Sequence, residues 1–281
     1  MLKFGCHLSI KEGYLGAAKR AYSYKALSYQ YFPKNPRSLS VKSYDHEDAE
    51  ACRNFCLEHA IESIAHTPYP TSLTAERDKK EAVIQSLKND LEIAEACGSL
   101  GVVVHFGSLL HSGGQIDSYK LMIETLNAVL EGWMGSSRLL IENNAGVIGS
   151  IGTTLEELTQ IRKLCERPEK IGFCLDTCHA FASALWTGDN WADLAEKGEK
   201  LGYFQELKAV HLNNCKYPMG EGKDRHANIL HSSGHIKEHQ FEELIHSPVL
   251  QHALFVLETP KDMGVTHQEE IKELKKRFGQ S

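Results

Sequence analysis

Short apolar runs recur along the chain, and six of them stop on a side chain able to bind a metal. IESIAH closes on His66, GVVVH on His105, LLIE on Glu142, GFCLD on Asp176, LKAVH on His211 and ALFVLE on Glu258. A short apolar run bounded by turn residues predicts a parallel strand buried on both faces. Two further runs, Leu2–His7 and Ala26–Phe32, precede these six, and strand seven is carried through to Asn213. Helical periodicity falls between them, over Gly13–Tyr24, His46–His59, Glu76–Cys97 and Tyr119–Trp133, and again from Leu155. The closing EEIKELKKRF predicts a charged amphipathic helix packed on the outside. Eight strand-helix repeats without a linker predict an α/β fold, a single (β/α)8 TIM-barrel domain over residues 1–281. Polar residues at the C-terminal ends of its strands would then share one mouth.

Composition narrows this only slightly. A length of 281 residues suits a barrel, which takes ~250. No apolar stretch approaches the ~20 residues of a membrane span, and the N-terminus carries no secretory h-region. The expectation is a cytoplasmic protein, with no membrane partner. The eight cysteines are scattered, and neither Cys52/Cys56 nor Cys174/Cys178 has a second pair at zinc-finger spacing, so reduced core thiols are expected. A net charge of −6 argues against nucleic acid as a partner. Bound divalent cations would reverse that locally, presenting a positive mouth to a phosphate.

The candidate chemistry is therefore metal chemistry. In LDTCH, Asp176 and His179 lie three apart at a strand-to-turn junction. In KDRH, Asp224 and His226 lie two apart, which in extended backbone points both to one side. With the six strand ends this makes nine candidate ligands: His66, His105, Glu142, Asp176, His179, His211, Asp224, His226 and Glu258. A single strand-end histidine is ordinarily a hydrogen-bonded core or surface group. Six ligand types at the same end of successive strands is a pattern that independent accidents would not produce. Nine ligands exceed the needs of one ion and suit two or three.

These residues sit in segments that resemble the endonuclease IV family, zinc-dependent apurinic/apyrimidinic (AP) endonucleases of DNA repair. The resemblance runs through GCHLSIKEGY, FPKNPR, AHTPY, VVVHFGS, LIENNAG, CLDTCHAFA, VHLNN, DRHANI and LETP. It implies a trinuclear zinc cluster: one ion on His66 and His105, bridged through Glu142 to a second on Asp176, His211 and Glu258, and a third on His179, Asp224 and His226. Manganese or iron could replace part of the zinc, since they use the same donors. It further implies that Glu142 positions a bridging hydroxide that attacks the phosphate 5′ to an abasic site in double-stranded DNA. The products would be a 3′-hydroxyl and a 5′-deoxyribose phosphate. Arg37 and Tyr69 would contact DNA, His7 would lie near the site, and the family precedent is a monomer.

Departures from the family pattern fall in the loops, at Leu39, Ser72, Phe106, Val147, Asn214 and the segment Leu230–Ile236. They bear on DNA contacts, not on the ligands. A second reading of the residues is a metal-dependent sugar isomerase or epimerase of the xylose-isomerase-like barrel type. Glu142, Asp176, His211 and Glu258 would suffice for it, and His66, His105, His179, Asp224 and His226 would be surplus.

Overall fold

The computed structural model describes residues 2–110, 114–147, 150–230, 233–261 and 264–279. Eight parallel strands close into a barrel: β1 Lys3–His7, β2 Ser28–Tyr31, β3 Glu62–His66, β4 Gly101–His105, β5 Arg138–Glu142, β6 Ile171–Asp176, β7 Leu207–His211 and β10 Leu254–Leu257. They follow chain order around the ring, and β10 pairs with β1 to complete it. This is the expected TIM barrel.

Side chains alternate along each strand, and the alternation builds the interior in layers. The middle layer is apolar, with Ile64, Val103, Leu140, Cys174, Ala209, Leu254 and Val256 forming one buried cluster. Two residues further along six of these strands stand His66, His105, Glu142, Asp176, His211 and Glu258. Register aligns them, with His105 opposite Glu142 and Asp176 opposite His211. On β1 and β2 the same layer holds His7 opposite Gln30. Lower in the barrel Gly5 is required by close packing, because a Cβ there would sit 1.6 Å from the Ser28 carbonyl oxygen.

The outer layer comprises α1 Gly13–Ser23, α2 His46–Glu58, α3 Asp78–Ala96, α4 Gln115–Leu130, α5 Leu155–Leu164, α7 Trp191–Leu201, α9 Glu238–His246 and α10 His267–Phe278. Two short helices, α6 Thr177–Ala182 and α8 Tyr203–Glu206, flank α7 in the connection from β6 to β7. Helix ends carry local signals. Asp45 caps α2 through Glu47 and Asp48, and Thr154/Glu157 and Thr266/Glu269 form capping boxes on α5 and α10.

Several boundaries shift by a few residues, and those of α4 and β7 have clear causes. Helix α4 starts at Gln115 and ends at Leu130, ahead of the predicted Tyr119–Trp133. Its first three residues face solvent, Ile116 included, so they add nothing to the inward apolar periodicity, and Gly132, at φ +70°, turns the chain out. Strand β7 stops at His211, two residues before Asn213, because Asn213 turns its backbone N–H to the Thr177 hydroxyl. A two-stranded antiparallel ribbon, β8 Asn214–Cys215 and β9 His226–Ala227, follows. All eight cysteines are buried free thiols. Among the described residues no helix is long and apolar enough to cross a membrane.

Candidate metal centre

Six of the nine candidates arrive by one route, as the last inward residue of a strand. The other three need separate devices. Asp176 caps the short helix α6: its Oδ1 accepts the backbone N–H of His179 at 2.7 Å. That cap places His179 one turn above the barrel floor. His226 stands on the ribbon, where it pairs with Cys215, and Asp224 lies in the loop two residues before it.

Together they surround a cavity of about 370 Å³ lined by His66, His105, Glu142, His179, Asp224, His226 and Glu258, with Asp176 and His211 buried beneath. Donor atoms come within 4.8 Å of one another in the groups His66/His105/Glu142, Glu142/Asp176/His211 and Asp176/His179/His226. Asp224 joins the third group, with its two oxygens 3.3 Å from His179 Nε2 and 3.2 Å from His226 Nε2.

Each of four imidazoles has one nitrogen occupied by an outer acceptor. His66 Nδ1 donates to the Thr67 carbonyl at 2.8 Å and His179 Nδ1 to that of Asn143 at 2.9 Å. His226 Nδ1 donates to the Glu258 carbonyl at 3.3 Å, and His211 Nε2 to the Gln30 side chain at 2.7 Å. The remaining nitrogens face carboxylates. His66 and His105 Nε2 lie 3.6 and 3.3 Å from Glu142 Oε2. His211 Nδ1 is 2.9 Å from Glu142 Oε1 and 3.3 Å from Glu258 Oε2. An outer hydrogen bond that fixes the tautomer and frees the inner nitrogen is the usual support of a metal-bound histidine.

Two buried atoms at the centre, Glu142 Oε2 and His226 Nε2, make no well-directed hydrogen bond and have only ion-pair approaches of 3.2 to 3.6 Å. Such atoms are costly unless something satisfies them. The donor set fits divalent ions: imidazole nitrogen and carboxylate oxygen, clustered and buried.

Electrostatics agrees. Burial works against charge on Glu142, yet the imidazoles of His211 and His105 hold its carboxyl well below the usual range. Burial likewise opposes ionisation of Glu258, and His211, His66 and His226 overcome it, to about 2. His226 is disfavoured as a cation by burial, but Asp176, Asp224 and Glu258 raise it to about 9. The cluster thus competes strongly for positive charge, which a metal ion supplies in place of protons. His7 is different: burial lowers it to about 4, so it is neutral.

Of the other predicted residues, His7 and Tyr69 line the cavity. Tyr69 is exposed and its ring meets Phe32 edge-on. Arg37 is exposed, makes no ion pair among the described residues, and does not line the cavity. Two of the loop positions marked as departures make bonds that depend on their identity. Phe106 donates its N–H to the Glu142 carbonyl at 3.0 Å, a bond that needs an N–H. Asn214 donates to the carbonyls of Ile229 and Ile236 and so closes that loop, something a carboxylate could not do. Within Leu230–Ile236 residues 231–232 lie outside the described residues, as do residues 111–113 of the HSGGQ loop.

Four site residues escaped the sequence reading. Asn143 brackets the Asp176 backbone and receives His179, and Asn213 Nδ2 donates to Asp176 Oδ2 at 2.7 Å. Both stand beside chosen ligands, in LIENNAG and VHLNN, and a polar residue within a buried run was the available signal. Gln30 carried the same signal on β2. Lys261, which lines the cavity, follows LETP and carried none.

Residues 18–278 match the xylose isomerase-like TIM barrel family. The chain is 42% identical to the "Probable endonuclease 4" of Symbiobacterium thermophilum, over 92% of this chain and 93% of that protein. It is 33% identical to the protein of the same name from Alkaliphilus oremlandii, over 99% and 98%. Among solved structures, endonuclease IV from Thermus thermophilus superposes with a TM-score of 0.83 at 29% identity, covering 97% of this chain and 96% of that one. A D-tagatose 3-epimerase-like protein shares the fold, with a TM-score of 0.70 at 18% identity over 99% and 97%.

Proposed function

The chain belongs to the endonuclease IV family of xylose isomerase-like TIM barrels, and on that premise we propose that it is a metal-dependent DNA repair endonuclease. Its reaction is hydrolysis of the phosphodiester 5′ to an abasic site, leaving a 3′-hydroxyl and a 5′-deoxyribose phosphate. The observation that supports this reading is the convergence of nine candidate ligands, with four of the five imidazoles fixed from outside so that their free nitrogens converge on carboxylates.

His66, His105 and Glu142 would hold one ion; Glu142, Asp176, His211 and Glu258 a second; His179, Asp224 and His226 a third. Divalent ions here, zinc foremost, supply Lewis acidity toward phosphate oxygens and a more acidic water. Glu142 is suited to be shared, since Oε2 faces His66 and His105 while Oε1 faces His211. Asn213 and the His179 backbone hold Asp176 from two sides. His7, neutral and lining the cavity, is placed to donate to the substrate, and Lys261 adds a basic side chain at the wall. Tyr69, at the rim against Phe32, presents an aromatic face where an extrahelical nucleotide would enter.

The epimerase reading needs only Glu142, Asp176, His211 and Glu258, and leaves five well-supported ligands without a task. The test is cleavage of a duplex carrying one abasic analogue, beside an intact duplex, with and without prolonged chelation. The expected result is one chelator-sensitive nick with a 3′-hydroxyl. No nick by metal-replete protein, together with turnover of a ketose, would replace this reading with the epimerase.

A further inference from the structure

Strand β2 supplies none of the nine ligands, yet its last inward residue, Gln30, is wholly buried at their level. Its amide makes three hydrogen bonds. Nε2 donates to Glu258 Oε1 at 2.6 Å and to His7 Nδ1 at 3.0 Å, while Oε1 accepts from His211 Nε2 at 2.7 Å. The amide cannot be turned round, because its carbonyl oxygen would then face the Glu258 carboxylate.

That orientation dictates proton positions on two rings. An amide nitrogen only donates, so His7 Nδ1 carries a lone pair and the neutral ring holds its proton on Nε2. An amide oxygen only accepts, so His211 carries a proton on Nε2. Its Nδ1 is then the atom left for a metal, facing Glu142, Asp176 and Glu258. The same amide occupies Oε1 of Glu258 and leaves Oε2 turned toward His211.

We propose that Gln30 is a positioning residue that sets the tautomers of His211 and His7 together, making the first a ligand through Nδ1 and the second a hydrogen-bond donor through Nε2. The donor from His7 serves an oxygen of the bound substrate, phosphate or sugar, in the cavity that this ring lines. The assignment of roles rests on the metal-dependent nuclease reading; the assignment of tautomers does not.

The experiment uses full-length protein with 15N-labelled histidine, read by long-range proton–nitrogen spectra with zinc and after its removal. Wild type should show His7 as the Nε2–H tautomer in both states, and zinc-loaded His211 as Nε2–H with Nδ1 bound. Gln30→Met should release His7 into a tautomer mixture and weaken zinc retention against a competing chelator by ~10–100-fold, the usual cost of losing an outer-shell partner. Gln30→Glu keeps an acceptor for His211 and loses the donors, so it should preserve the His211 tautomer while disturbing His7. A wild-type His7 protonated at Nδ1 would overturn the proposal. So would zinc loss in Gln30→Met with both tautomers unchanged, which a packing role alone would produce. Wild-type protein that takes up no zinc would defeat the metal reading, while the His7 tautomer in that same protein would still decide the case for Gln30.

Discussion

The floor of the site and its rim are built on different principles. Glu142, Asp176 and His211 are at most 1% exposed and stand one layer above an apolar cluster in a closed barrel. Their positions follow from strand register, and moving any of them means moving the core. The rim residues Tyr69 and Asp224 are substantially exposed, 69% for Tyr69 and 50% for the Asp224 side chain. They hang on loops held by individual polar struts. Asn214 ties the segment after the ribbon, and Lys34 anchors the loop bearing Arg37. The Lys34 ammonium donates to the Ser86 carbonyl at 2.7 Å and pairs with Asp90 at 3.1 Å, all of it buried against α3. A floor made by the core constrains chemistry tightly. A rim made of struts can vary while the chemistry stays.

The largest effect that would test this contrast is at the floor. Glu142→Gln keeps the shape and removes the charge common to two of the candidate metal groups. It should lower kcat by more than the ~10–100-fold typical of outer-shell changes, with bound zinc reduced and the protein still folded by circular dichroism. Unchanged turnover would remove Glu142 from the centre. His226→Ala, from the ribbon, should cut turnover through the third group while leaving thermal unfolding nearly unchanged.

Next comes the strut. Asp90→Leu leaves the Lys34 ammonium buried and unpaired, which should cost ~3–5 kcal/mol in urea unfolding near pH 8. Burial raises the Asp90 carboxyl to about 7, with Lys34 opposing it. A folded-state value above the unfolded 3.8 means the native protein holds the extra proton. This group's contribution to stability is therefore fully present below the lower value and falls as pH rises toward the higher one. The variant lacks that titration, so the penalty of Asp90→Leu should grow when unfolding is measured near pH 5. A pH-independent penalty would show that the pair does not carry the anchor.

The smallest effect is expected from Arg37→Ala, at the far end of that loop. Losing an exposed guanidinium that would make one phosphate contact should raise the KM for abasic duplex a few-fold. Its loss should also reduce the slope of log affinity against log salt by ~1. Neither change would mean that this loop no longer meets DNA.

Much of the floor was legible in the chain alone because it obeys a period of two. An apolar run that closes on a ligand reveals both the strand and the end at which the ligand emerges. His66, His105, Glu142, Asp176, His211 and Glu258 all announce themselves in this way. LDTCH and KDRH are local enough that spacing brings each pair to one side. The residues that fix proton positions were not legible, because a hydrogen-bond partner is a long-range property. Gln30 reaches residues 181 and 228 positions away, and nothing local marks it beyond a polar residue in a buried strand. The same holds for Asn143, Asn213, Asn214 and the Lys34–Asp90 pair, each meaningful only once distant elements close on it.

Pattern along the chain thus determined the barrel and the donor types at its mouth, since both follow from periodicity and residue chemistry. Barrel closure decided which oxygen faces which nitrogen, which tautomer each ring holds, and how firmly each rim loop is tied. Those are distances between strands far apart in sequence, fixed only when the ring is complete.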